Sequence, residues 1–176
     1  VDNNTPVLLD EVERVVFNPY WNVPSTITKK ELLPKLRVDP NYLVAQNMEM
    51  VGAGEIITTP PTPEQLDALA RGEYRLRQRP GPGNALGRVK FEFPNNDAIY
   101  MHDTPNRGAF YNSRRDVSHG CIRLGDPQKM ANFLLAGQSG WDAKRIAEAM
   151  HSDEKKTVEL REPVPVLLFY TTAIVD

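Results

Sequence analysis

The sequence predicts a mainly β domain with peripheral helices, of the α+β class. Three observations predict it. Residues 88–94, RVKFEFP, alternate strictly, with Val89, Phe91 and Phe93 on one face and Lys90 and Glu92 on the other. Proline is abundant, with 15 residues and clusters at 60–63 and 80–82, which suits a loop-rich β protein better than a helical bundle. Helix-start signals are confined to 25–72 and to two short segments after 125.

Along the chain, 6–19 (PVLLDEVERVVFNP) has apolar positions for one or two strands, stopped by Asn18-Pro19. Residues 18–24 (NPYWNVP) read as an aromatic-rich loop. Three capped helices follow. TKKELLPKL opens with Thr28 and Glu31 in capping-box spacing. DPNYLVAQN offers Asp39 as cap and Pro40 next. TPEQLDALARG has Thr62, Pro63 and Gln65, with Gly72 as the stop. Segment 25–72 therefore reads as an inserted, partly helical subdomain. Residues 73–80 return to strand texture, 81–87 turn, and 88–102 form a hairpin ending in AIYMH. A polar loop, 103–118, precedes a short strand, CIRL. DPQKMANFLLAG carries Asp126 as cap, an apolar set of Met130, Phe133 and Leu134, and Gly137 at its end. DAKRIAEAM (142–150) is a further helix. TVEL and VPVLLFYTTAIV close the chain as strands, the last apolar enough to be central.

At 176 residues, 40% hydrophobic and 25% charged, the chain can bury a core without disulfide or metal staples. Its net charge of −2 gives no reason to expect nucleic acid or an anionic membrane as partner. The longest apolar run, VPVLLFY, is core-strand length and far short of the ~20 residues that span a bilayer. The first residues show no signal-peptide pattern, which a mature secreted form would also lack. Cys121 is the single cysteine, so no internal disulfide forms and the compartment stays open.

Cys121 sits in DVSHGCIRLGDP (116–127), after Gly120 and two residues after His119. Nucleophilic thiol catalysis needs a base, a group that orients the base, and backbone N–H groups for the oxyanion. Gly120 permits the tight backbone that aims consecutive N–H groups at one spot. His102 ends the 98–102 strand, and the loop after it can bring the two strand ends together. His119 lies in the same turn as the thiol. Arg107, Arg114 and Arg115 on the loop could meet a substrate carboxylate. Other readings stay open. A lone cysteine is commonly a small buried hydrophobe. His102, Asp103, His119 and Cys121 are all zinc-ligand types, though their spacing is not a familiar zinc pattern. His151 reads as a solvated helix-end residue.

The stretch from His102 to Arg123, HDTP followed by SHGCIR, resembles the signature of the L,D-transpeptidase catalytic domain of the YkuD type. Ser118, His119, Gly120 and Cys121 all match it. NPYWNVP (18–24), RQRPGPGNALGRVKFEFPN (77–95), YMHDTP (100–105) and PVPVLLFYTTA (163–173) are similar to a periplasmic Gram-negative branch with a capping insertion. The resemblance implies a β-sandwich catalytic domain from 1–24 and 73–176, with its first strands preceding Val1, and a helical capping subdomain at 25–72. It implies that Cys121 attacks the carbonyl at the third residue of a peptidoglycan tetrapeptide stem and expels D-alanine. The thioester then passes to an amine of a neighbouring stem, forming a 3→3 cross-link, or to a lipoprotein amine or water. Release to water by a carboxypeptidase or amidase, or a non-catalytic wall- or metal-binding module, are the alternatives. His102 would be the base, held through Asp103. Gly120, Cys121 and His119 would shape the oxyanion hole, with Ser118 and Tyr100 beside it. Arg123, Trp21 and Arg115 would contact substrate. No metal or organic cofactor is implied. A periplasmic or envelope location and acylation by carbapenem β-lactams are.

Overall fold

Strand β1 (Leu8–Phe17) ends at Asn18, whose φ of +45° turns the chain, and β2 (Trp21–Asn22) follows. The computed structural model describes residues 5–52, 54–113 and 120–170. A helical run comprises α1 (Ser25–Ile27), a π-helical turn (Thr28–Leu32) and α2 (Leu33–Val38). Next come α3 (Tyr42–Ala45), β3 (Met48–Gly52), β4 (Glu55–Ile57), α4 (Pro63–Arg71) and β5 (Tyr74–Gln78). The remainder is β6 (Val89–Glu92), β7 (Met101–His102), a 3-10 turn (Arg107–Tyr111), β8 (Ile122–Arg123), α5 (Pro127–Leu134), α6 (Ala143–His151) and β9 (Lys156–Leu168). The fold is mainly β with a few helices, as the alternation and proline content predict.

The chain forms two compact units: one of residues up to Pro19 and from Leu86 onward, the other Tyr20–Ala85. In the smaller unit, β2-β5-β3-β4 form an antiparallel sheet. Leu36, Leu43, Met50, Leu69 and Leu76 form its centre. Besides the helices of 25–72, this unit takes in β2 and β5, which pair inside it. Strands β3 and β4 carry no sequence signal of their own; β3 follows a turn at Asn47 (φ +52°), and Gly54 (φ +77°) lies between the two strands. The Thr62–Gln65 capping box and the left-handed Gly72 stop form as the sequence predicts. Thr28 does not cap. It lies inside the helical run, where its N–H donates to Pro24 O at 2.9 Å. Pro34 explains the wide turn: it has no N–H to continue an α ladder, and Leu33 N–H reaches back to Thr28 O instead. Asp39 accepts from Asn41 N–H at 3.0 Å in a turn, so α3 starts at Tyr42.

The larger unit has the sheet order β8-β7-β6-β1-β9 among the described residues. Only β7 and β8 are parallel. The period-2 alternation divides this sheet by face. Val15, Phe17, Val89, Phe91 and Met101 lie in one core with Ala131 and Leu134 of α5, Leu135 just after it, and Ile146 and Met150 of α6. Phe133 is exposed, not part of the apolar face expected for α5. Asp126 and Asp142 cap α5 and α6, accepting from Lys129 and Arg145 N–H at 2.9 and 2.7 Å. The closing strand is not central. It pairs only with β1 among the described residues, and its apolar residues divide between Val164, Val166 and Leu168 against the core and Leu167 outward.

Candidate active site

The polar face of the larger unit's sheet gathers most of the candidate residues. Lys90 pairs with His102 across β6 and β7, and His102 pairs with Arg123 across β7 and β8. Ile122 N–H donates to Tyr100 O at 3.1 Å, and Leu124 N–H to His102 O at 2.9 Å. These bonds seat Cys121 beside Tyr100, one step before the His102–Arg123 pair. Alternation then puts Lys90, Tyr100, His102, Cys121 and Arg123 on one face, with Phe91, Met101 and Ile122 on the other.

His102 is 5% exposed. Its Nδ1 hydrogen-bonds the Asp103 backbone carbonyl, which can only accept, so Nδ1 carries the proton and Nε2 the lone pair. Burial, reinforced by the Arg123 and Lys90 charges, lowers its pKa to about 4 against the opposing bond to Asp103. The imidazole is therefore neutral at physiological pH.

Asp103 meets the His102 ring through its carbonyl, while its side chain bonds elsewhere. Its Oδ2 accepts from Arg88 N–H at 2.8 Å. Its Oδ1 accepts from Thr104 N–H and Arg107 at 2.6 Å each. Arg107 also donates to Gly125 O at 2.6 Å, tying the loop to the segment after β8. This arginine, a carboxylate-binding candidate in the sequence, is thus engaged within the fold. Gly87, at φ +62°, leaves room for the carboxylate; a Cβ there would lie 2.4 Å from Asp103 Cγ.

Cys121 is half-buried. Burial pushes its thiol pKa up, while the Tyr100 N–H and hydroxyl and the Lys90 charge oppose that rise. Its Sγ lies 3.9 Å from Ala98 O. Burial and the neighbouring thiol hold the Tyr100 phenol well above its usual range, so it stays protonated and can donate to a thiolate. Its ring meets that of His102 edge to face, with centroids 5.8 Å apart. Lys90 Nζ sits 4.0 Å from the Tyr100 ring centroid and pairs with Glu92 at 2.8 Å.

The structure thus brings together Tyr100, His102, Asp103, Cys121 and Arg123, with Gly120 preceding the thiol at φ +106°. Trp21 belongs to the smaller unit, partly buried against its core. Ser118, His119, Arg114 and Arg115 lie outside the described residues. Among the described residues, no three His, Cys, Asp or Glu side chains converge as metal ligands. His151 is exposed, with Nδ1 hydrogen-bonded to Ala147 O at 2.8 Å. Lys90 escaped the sequence reading, although the 88–102 hairpin places it opposite His102. Asn95 escaped too: its side chain donates to Phe93 O and Ile99 O at 2.9 and 2.7 Å and accepts from Ile99 N–H at 2.9 Å.

A family model described as the L,D-transpeptidase catalytic domain, YkuD, matches residues 1–164. The chain belongs to this family. It is also 36% identical over 172 residues to a Haemophilus influenzae (strain ATCC 51907 / DSM 11121 / KW20 / Rd) protein named "Putative L,D-transpeptidase". That match covers 98% of this chain and 35% of the relative, so the chain spans about a third of that protein's length. No helix among the described residues is long and apolar enough to cross a membrane.

Proposed function

We propose that this L,D-transpeptidase domain forms a Cys121 thioester on a peptidoglycan tetrapeptide stem, in the cell envelope, with His102 as the base. One observation carries the reading. Tyr100, His102 and Cys121 share a face of adjoining strands, and the Asp103 carbonyl takes the His102 Nδ1 proton, leaving Nε2 to accept another. A thiol raised by burial beside a lowered imidazole makes a neutral resting pair, not a thiolate–imidazolium pair. General-base catalysis follows from that pairing.

Sγ loses its proton to Nε2 as it bonds to the carbonyl carbon of the stem's third residue. Tyr100 N–H and O–H stabilise the thiolate, and the N–H groups of Gly120 and Cys121 face the oxyanion. The C–N bond to D-alanine then breaks, and the proton on Nε2 leaves with its amine. An amine of a neighbouring stem attacks the thioester, gives its proton to His102 and forms the 3→3 cross-link as the C–S bond breaks. The proton returns to Sγ. Arg123, on the same face, is placed to meet the diaminopimelate carboxylate. Ser118, His119, Arg115 and Trp21 enter this reading by the family resemblance alone.

Intact-protein mass after incubation with a carbapenem tests the nucleophile. A stoichiometric adduct is expected, and it is lost in Cys121→Ala. An adduct that persists in that variant overturns the assignment. Disaccharide-tetrapeptides test the acceptor: dimers support transfer, whereas tripeptide alone identifies a hydrolase.

A further inference from the structure

The peptide plane between Gly120 and Cys121 lies outside the sheet ladder, which begins at Ile122. Gly120 stands at φ +106°, where glycine alone is comfortable and the chain has little steric guidance. Thr5 Oγ1 donates to Gly120 O at 2.8 Å, across 115 residues of sequence. Thr5 is itself tied, because its carbonyl accepts from the Tyr170 hydroxyl at 2.7 Å. A trans peptide holds its C=O and N–H antiparallel. Fixing the Gly120 oxygen towards Thr5 therefore fixes the Cys121 N–H in the opposite direction.

We propose that Thr5, braced by Tyr170, is a positioning residue that sets the Cys121 N–H as an oxyanion donor. The inference rests on the thioester reading above. It separates two properties of the site. Thr5 governs stabilisation of a developing oxyanion. Tyr100, His102 and Lys90 govern the reactivity of the thiol.

Two reagents separate the same properties. A carbapenem develops an oxyanion when Cys121 attacks it; iodoacetamide alkylates the same sulfur without one. Removing an oxyanion donor costs about a hundredfold or more in rate, so letting one swing loose should cost about tenfold. Thr5→Val is expected to slow carbapenem acylation by about that factor, leaving the alkylation rate and its pH midpoint unchanged. Thr5→Ser keeps the hydroxyl and should acylate like the wild type. Tyr170→Phe should give a smaller loss in acylation alone, and it decides the matter if Thr5→Val does not fold. Unchanged acylation in Thr5→Val, or in Tyr170→Phe when that variant decides, overturns the proposal. So does an equal fall in both reactions, which marks a merely structural tie. A wild-type chain that alkylates but never acylates overturns the thioester reading itself, and this inference with it.

Discussion

The two sides of the five-stranded sheet are built by different means. On one side, β1 and β9 run for 10 and 13 residues and define their register through a long backbone ladder. On the other, β7 and β8 have two residues each. A ladder that short cannot fix side-chain positions to the fraction of an ångström that catalysis needs. Side-chain bonds do so instead, most of them to backbone: Asn95 staples the turn before β7, Asp103 gathers the Arg88 and Thr104 N–H groups and the Arg107 guanidinium after it, and Arg107 reaches across to Gly125. Ala98, held at φ +54° between Asn95 and Tyr100, shows the local strain those staples contain. Regular structure supplies stability here, and irregular structure supplies aim.

The sharpest way to break that contrast is to crowd one staple. In Gly87→Ala the new Cβ would meet the Asp103 carboxylate at 2.4 Å, at a φ that L residues avoid. We expect a loss of roughly 3 kcal/mol in urea-denaturation stability from strain and overpacking. The turnover number should also fall by tenfold or more as the Asp103 carbonyl shifts under His102. Leu9→Thr, on the exposed face of β1, is the control: stability should move by less than about 0.5 kcal/mol, with activity unchanged. If the two variants behave alike, the staples do not aim the site.

How far the sequence foretells this division follows from the same physics. Signals that act within one turn were legible: the Thr62–Gln65 box, the Asp126 and Asp142 caps and the alternation of 88–94 all form. Cys121 and His102 were legible as candidates because their chemistry is rare. The supporting residues were not. Asn95, Gly87 and Thr5 are ordinary residue types whose work exists only in the folded chain: Asn95 bonds to backbone in its own turn, Gly87 leaves room for the Asp103 carboxylate, and Thr5 bonds to backbone 115 residues away. For Asp103 the resemblance leaves open whether a backbone or a side-chain oxygen meets His102, and the fold makes it the main-chain carbonyl, which every residue has. The closing strand misled for a related reason. An apolar run shows that a segment is strand-like, but not which neighbours the sheet order gives it.

A second test uses pH. The folded state keeps His102 neutral down to a pKa of about 4, whereas the unfolded chain protonates it near 6.5. Its contribution to stability is therefore complete above 6.5, shrinks as pH falls towards 4, and changes no further below that. The full loss is about 3 kcal/mol. Other groups titrate in the same window, so the relevant quantity is the difference between wild type and His102→Gln in urea melts across it. The wild type should lose stability faster on acidification. Parallel curves would mean that the imidazole is not buried as a neutral base.

The smallest expected effect concerns Lys90, and it separates thiol tuning from the positioning of the base. Lys90 Nζ lies over the Tyr100 ring and pairs with Glu92, and its charge opposes the burial that raises the Cys121 thiol. Lys90→Met keeps a long apolar stem but removes the cation. The thiol then loses one of the groups favouring its ionised form, and the pH midpoint for iodoacetamide alkylation should move up. The same charge also disfavours protonated His102, so its removal should raise the histidine's pKa. The two changes draw the titrations together from one side and apart from the other: Nε2 becomes a better base while the thiol becomes a weaker acid. Their effects on turnover at neutral pH therefore oppose, and the expected change is under about threefold, less than 1 kcal/mol in barrier. An alkylation midpoint that stays put would show that the Glu92 carboxylate already neutralises Lys90 where the sulfur feels it. Tyr100 alone would then oppose the burial that raises the thiol.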